Sequence, residues 1–128
     1  MRETNRTMAE HNDLGKIGEN LAAKHMLSLG YKILDRNWIY QKKELDIVAT
    51  DGDYLVIVEV KSRSTDFFEH PSDAITLPKI KFICRATQAY VDLKDIEMEV
   101  RFDVISVIKR NEKFDIEHIE DAFIAPID

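Results

Sequence analysis

The hydrophobic pattern of this chain switches period twice, and each switch marks a change of element. Between residues 14 and 29 the apolar positions recur at helical spacing. Leu14, Ile17, Leu21 and His25 fall on one face, bordered by Gly15, Glu19, Ala22 and Met26. Gly15 and Gly18 weaken a helix, so their presence in its first turn and a half implies either a close backbone approach or a late start. Gly30 ends the periodic run, as a glycine just past the last helical residue does.

Period-two patterning then predicts three strands, Tyr31–Tyr40, Glu44–Thr50 and Tyr54–Ser62. The short Asp51-Gly52-Asp53 connection makes the second and third an antiparallel hairpin. Residues 64–72 read as a polar loop carrying Phe67 and Phe68. A second helix follows Pro78 and runs to Leu93, with Phe82, Ile83, Ala86, Ala89, Tyr90 and Leu93 on its apolar side. Lys81, Arg85 and Gln88 recur on the opposite side. Glu99–Ile108 is a fourth strand and Phe114–Ile119 a fifth, at a sheet edge. The order αβββαββ predicts a single α/β domain over residues 14–128, a central mixed β-sheet flanked by α-helices, after a flexible lead-in at residues 1–13.

Charged residues interrupt two of these strands. Strict alternation puts Asp46 on the face of Glu44 and Val48, and Glu59 on the face of Ile57 and Lys61. Burying a carboxylate or an ammonium is costly unless it is paired or binds a metal. A hairpin centred on Gly52 sets Asp46 and Glu59 nearly opposite each other. Two carboxylates suffice to hold Mg²⁺, or Mn²⁺, against a substrate phosphate, and the carbonyl of Val60 is a further oxygen donor. Lys61 is placed to orient the attacking water or to stabilise the transition state. The plainer reading, a solvated Glu59–Lys61 pair, carries comparable weight on spacing alone. Val48 and Ile57 on the same faces favour a half-buried site.

Composition narrows the setting. Of 128 residues, 45% are hydrophobic, enough for one domain with a core. No apolar run approaches the roughly 18 residues of a membrane span. One cysteine, Cys84, excludes an internal disulfide and fits a reducing cytoplasm. The formal net charge of −6 arises wholly from residues 92–128, since residues 1–91 hold thirteen basic and thirteen acidic side chains. The strands bearing Asp46 and Glu59 are thus not in the acidic part, and phosphate-backbone contacts can come from Lys42, Lys43, Arg63, Lys81 and Arg85. Asp103, between Phe102 and Val104, reads as a structural hydrogen-bonding residue. His11, His25, His70 and His118 have no zinc-like spacing.

Five segments in order, Gly15-x-x-Gly18-Glu19-x-x-Ala22, Gly30-Tyr31-Lys32-Ile33-Leu34-x-x-Asn37-Trp38, Glu44-Leu45-Asp46-Ile47-Val48, Val58-Glu59-Val60-Lys61-x-Arg63 and Arg101-Phe102-Asp103-Val104-Ile105, resemble the YraN family of small bacterial proteins. The likeness spans residues 14–108. That family in turn resembles Holliday-junction resolvases and the PD-(D/E)xK restriction-endonuclease-like superfamily. The resemblance implies a restriction-endonuclease-like fold and a metal-dependent nuclease site acting on DNA, branched DNA included. It places a helix glutamate at Glu19, the motif aspartate at Asp46 and the E-x-K pair at Glu59 and Lys61. Resolvase likeness further implies a homodimer, because two symmetric cuts need two sites. An alternative of another class is a nucleic-acid-binding or protein-interaction module that keeps the fold and cleaves little.

Overall fold

The computed structural model describes residues 8–64 and 75–126. Most of the loop expected over 64–72, with Asp66, Phe67 and Phe68, lies outside the described residues. The elements are α1 (Met8–Ser28), β1 (Lys32–Tyr40), β2 (Lys43–Thr50), β3 (Tyr54–Ser64), α2 (Leu77–Lys94), β4 (Glu99–Arg110) and β5 (Lys113–Ile119). The predicted order αβββαββ holds. The sheet runs β1-β2-β3-β4-β5, with β3 and β4 parallel and every other pair antiparallel. A parallel step needs a crossover, and α2 supplies it.

Two apolar layers sandwich the sheet. Ala22, Ala23 and Met26 of α1 pack on Ile47, Ala49, Val56, Val58, Ile105 and Val107. Phe82, Ile83, Ala86 and Tyr90 of α2 pack on Leu45, Val48, Leu55, Ile57 and Phe102 on the other side. Trp38 joins this second layer, edge-on to Tyr90 at 5.1 Å between centroids and stacked on Tyr40 at 6.3 Å.

The first helix departs from expectation in two ways. It begins at Met8 rather than residue 14, because Met8, Ala9 and Glu10 are good helix formers although the segment lacks an apolar stripe. Its buried face is Leu14, Gly18, Ala22 and Met26, while Ile17 is exposed and Leu21 and His25 lie at the border. Gly18 explains the rotation. A Cβ there would run into Ser62 Oγ and stand 2.9 Å from Ser62 Cβ, whereas one on Gly15 would meet nothing within 4 Å. The helix therefore rests its backbone on β3 at Gly18, and the residues in line with Gly18 become the buried ones. Gly30, at φ +90°, ends the helix, with the Tyr31 amide donating to the Met26 carbonyl at 3.0 Å.

The hairpin between β2 and β3 has Ile47 opposite Val58 and Thr50 opposite Leu55. Asp51 Oδ1 fixes its turn by accepting the amides of Asp53 and Tyr54 at 2.9 and 2.8 Å. On the α1 side of β4, Asp103 is fully buried. It accepts Arg101 Nε and Nη2 at 2.9 Å each and the Asp121 amide at 3.0 Å, and it lies 2.8 Å from His118 Nε2. The structural role expected for Asp103 stands. The network also joins two histidines far apart in sequence, since His25 Nε2 lies 3.1 Å from His118 Nδ1.

A candidate metal centre where two strands diverge

Strict alternation fails in β2 at one residue, and that residue is Asp46. Leu45 and Val48 belong to the α2 layer while Ile47 and Ala49 belong to the α1 layer. One residue is therefore inserted in the alternation between Leu45 and Ile47. Asp46 therefore cannot share one face with both Glu44 and Val48, as strict alternation expected, and that expectation is corrected. The cause lies on the neighbouring strand. The β1–β2 ladder passes from Arg36↔Ile47 to Trp38↔Leu45 and omits the step at which Asn37 faces Asp46. Asn37 takes φ +52°, a left-handed conformation that asparagine tolerates better than most residues.

The β2–β3 ladder ends at Ile47↔Val58, one step before Asp46 would face Glu59. Beyond that point Asp46 Oδ2 accepts the Val60 amide at 2.8 Å. The side chain thus lies toward β3, where the two strands part. Glu59 follows Leu55 and Ile57 at period two and projects on the α2 side, paired in the parallel ladder with Val104. It is half-buried, and its Oε2 lies 3.2 Å from Lys79 Nζ in the first turn of α2. Burial, then the neighbouring Glu59 charge and the more distant Glu19, push the Asp46 carboxyl up to about 8. The Val60 amide and the Lys79 ammonium act in the opposite direction.

Glu19 stands one residue beyond the Gly18 contact and is held from β1. Arg36 Nη2 donates to its Oε1 at 3.0 Å and Asn37 Nδ2 to its Oε2 at 2.8 Å. Asn37 Nδ2 also donates to Glu44 Oε1 at 2.9 Å, so this amide ties the helix to β2. Glu19 therefore contributes charge near Asp46 while both of its own oxygens are engaged.

The structure brings Asp46, Glu59 and the Val60 amide together, with Glu19 within electrostatic reach. Lys61 follows Glu59 on the same strand, half-buried and with no ion pair among the described residues. Arg63 continues that row. Its Nη2 donates to Ser106 Oγ at 3.4 Å, and its Nε is buried without a partner among the described residues. Lys42 is exposed in the β1–β2 turn at φ +72°, and Lys43 Nζ sits 5.5 Å above the Phe82 ring. Lys81 and Arg85 lie on another flank of α2, lining a hollow with Cys84, Gln88 and Pro126. Sequence reasoning missed Lys79, Arg36 and Asn37. Asn37 carried a signal, the last of three consecutive polar residues (Asp35-Arg36-Asn37) that interrupt the strand, but Lys79 reads only as one more helix lysine.

Among the described residues no three carboxylate or imidazole side chains converge into a ligand cluster. The donors present still suit a hard cation. Asp46 Oδ1 and Glu59 Oε1 make no hydrogen bond or ion pair among the described residues, while their sister oxygens are held by Val60 and Lys79. Each carboxylate thus keeps one oxygen for a ligand, and both belong to the oxygen class Mg²⁺ and Mn²⁺ prefer.

Fold and site together define a small α/β domain with an acidic pair at a strand divergence. The chain belongs to the uncharacterised protein family UPF0102, whose model matches residues 18–107. It is similar to a UPF0102 protein of Bacteroides thetaiotaomicron, 52% identical over 120 residues, 94% of this chain and 99% of that one. A UPF0102 protein of Flavobacterium psychrophilum is 49% identical over 116 residues, 91% of this chain and 98% of its own. No helix among the described residues is long and apolar enough to cross a membrane.

Proposed function

We propose that this protein is a metal-dependent endonuclease that hydrolyses phosphodiester bonds in nucleic acid, DNA before RNA, in the cytoplasm. The observation that carries the reading is the pair Asp46 and Glu59. Two carboxylates are drawn together out of water, each with an oxygen left over, at the point where β2 and β3 separate. Like charges so placed are relieved by holding a proton or by a cation, and a divalent ion bound between them would take the proton's place.

Asp46 and Glu59 would hold Mg²⁺ or Mn²⁺, with the Val60 carbonyl as a further donor. Bound there, the ion would acidify a water and offset charge building on the phosphate. The chain's own residues have separate tasks. Val60 fixes Asp46 through its amide, so one oxygen keeps its direction. Lys61, unpaired among the described residues and on the same strand face as Glu59, would hold the attacking water or the phosphate oxygens. Arg63 offers a guanidinium whose Nε lacks a partner among the described residues, suited to a second phosphate. Arg36 and Asn37 keep Glu19 beside the pair as a fixed negative charge. Lys42 and Lys43 flank the site, and Lys81 and Arg85 extend the basic surface along α2. A homodimer would let two such sites act on two strands.

The second reading, a nucleic-acid-binding or protein-interaction module with little cleavage, draws support from the Lys79–Glu59 ion pair, which already neutralises one carboxylate. Purified protein incubated with duplex, flapped, four-way-junction and single-stranded DNA and RNA, with Mg²⁺ or Mn²⁺, separates the two. Cleavage lost in Glu59→Ala supports the enzyme. Binding of these substrates without cleavage supports the module, and equal cleavage by wild type and Glu59→Ala removes the proposed site.

A further inference from the structure

The metal-free protein satisfies Glu59 with a side chain that the strand motif does not contain. Thr76 caps α2, its hydroxyl accepting the Lys79 amide at 3.4 Å, and this fixes the first turn of the helix over β3. From that turn Lys79 Nζ reaches Glu59 Oε2 at 3.2 Å. The glutamate side chain is 14% exposed and the lysine 42%. One partner is therefore held by the sheet, and the other is a long stem half in solvent, free to change rotamer without disturbing the core. Lys61, the nearer lysine in sequence, makes no such contact.

We propose that Lys79 is a built-in counter-ion which competes with the divalent cation for Glu59: it closes on the carboxylate in the metal-free protein and must swing away for the ion to bind. This rests on the metal-site reading above and adds a regulator to it. An ammonium on Glu59 relieves the repulsion between Glu59 and Asp46, so the empty pair is tolerated without metal. The same contact must be broken on loading, so it weakens metal affinity by whatever the contact is worth. An ion pair with one partner half in water is worth at most about a fivefold change in an equilibrium constant, so the competition tunes affinity and does not abolish it. The swing also releases a positive charge at the rim of the site at the moment the ion arrives.

Mn²⁺ binding to the full chain, measured by titration calorimetry, tests this directly. The variants are Lys79→Met, Lys79→Gln, Lys79→Arg and Glu59→Gln, each also melted in EDTA. The methionine and glutamine variants should bind Mn²⁺ about three- to fivefold more tightly and melt at a lower temperature in EDTA. The arginine variant, which keeps the charge, should stay near wild type. If Glu59→Gln loses Mn²⁺ while Lys79→Met and Lys79→Gln bind no more tightly than wild type, the counter-ion is overturned and the metal site stands. If Glu59→Gln binds Mn²⁺ as wild type does, or no variant binds it, the metal-site reading fails and takes this inference with it.

Discussion

The Val60 amide donates to Asp46 Oδ2 at 2.8 Å, so a carboxylate of β2 engages the β3 backbone just past the end of their ladder. The strands can part there without stranding a buried amide, and an unsatisfied one would cost about 1–3 kcal/mol. The carboxylate that caps the split is the one that sits beside Glu59. Opening the sheet and building the acidic pair are one event.

That pairing gives the metal-free protein an unusual pH response. The Asp46 carboxyl titrates near 8 in the fold and near 3.9 in an unfolded chain. Between those values the folded state binds more protons, so stability falls as pH rises through the window. The slope approaches about 1.4 kcal/mol per unit at most. Urea unfolding in EDTA from pH 4 to 8 should show the decline, and Asp46→Asn should flatten it. A slope unchanged by the substitution would remove Asp46 as its source.

Asp103 should behave in the opposite sense. Burial alone would raise its pKa, but Arg101, the Asp121 amide and His118 together hold it below the ordinary range. Its stabilising contribution is complete above about pH 4 and is lost as pH falls through the lowered folded value. Asp103→Ala leaves Arg101 and His118 facing a void and should cost about 3–5 kcal/mol, read from urea midpoints at neutral pH.

Two glycines of α1 should respond with opposite signs. Gly18→Ala places a methyl against Ser62 and should destabilise by about 1–3 kcal/mol. Gly15→Ala meets open space and should stabilise by about 0.5–1 kcal/mol, since alanine suits a helix better. Thermal melts of the pair side by side check the docking of α1 on β3. If both variants shift the same way, the contact is not the reason for Gly18.

Asn37 combines a backbone and a side-chain task. Asn37→Gly keeps the left-handed conformation and releases Glu19 Oε2 and Glu44 Oε1, whereas Asn37→Ala releases the same oxygens and adds strain of about 1–2 kcal/mol. Glycine should therefore melt above alanine. Equal melting temperatures would mean that the kink in β1 does not depend on this φ.

The sheet was legible because its strands are rich in β-branched and aromatic residues at near-alternate positions and one hairpin turn carries Asp51-Gly52-Asp53, so all five were placed within two residues of their ends. The acidic pair was legible because a charge in an apolar strand stands out. Within β2 alternation failed at Asp46, where the reason is a φ angle on another strand and no pattern within β2 records it; β1 slips as well, between Ile33 and Asp35. Lys79 was illegible for a different reason. Its partner is reached through the packing of α2 on the sheet, and nothing distinguishes it locally from Lys81. The His25–His118 contact joins residues that only the completed sheet brings within 3.1 Å.

The Asp103 network also bears on the order in which the chain can close. Arg101 is synthesised just before Asp103, but His118 and the Asp121 amide come later, from β5 and the residues beyond it. The Ala122 amide then reaches the Phe102 carbonyl at 2.7 Å, and the Phe123 ring stacks on Phe102 at 5.0 Å. Made from its N-terminus, the chain leaves the ribosome with the far edge of β4 unpaired and Phe102 without Phe123, and Arg101 alone guards the buried aspartate. The last strand and its tail act as a closing clasp, so a nascent chain stalled before residue 118 would expose the polar centre of its own sheet.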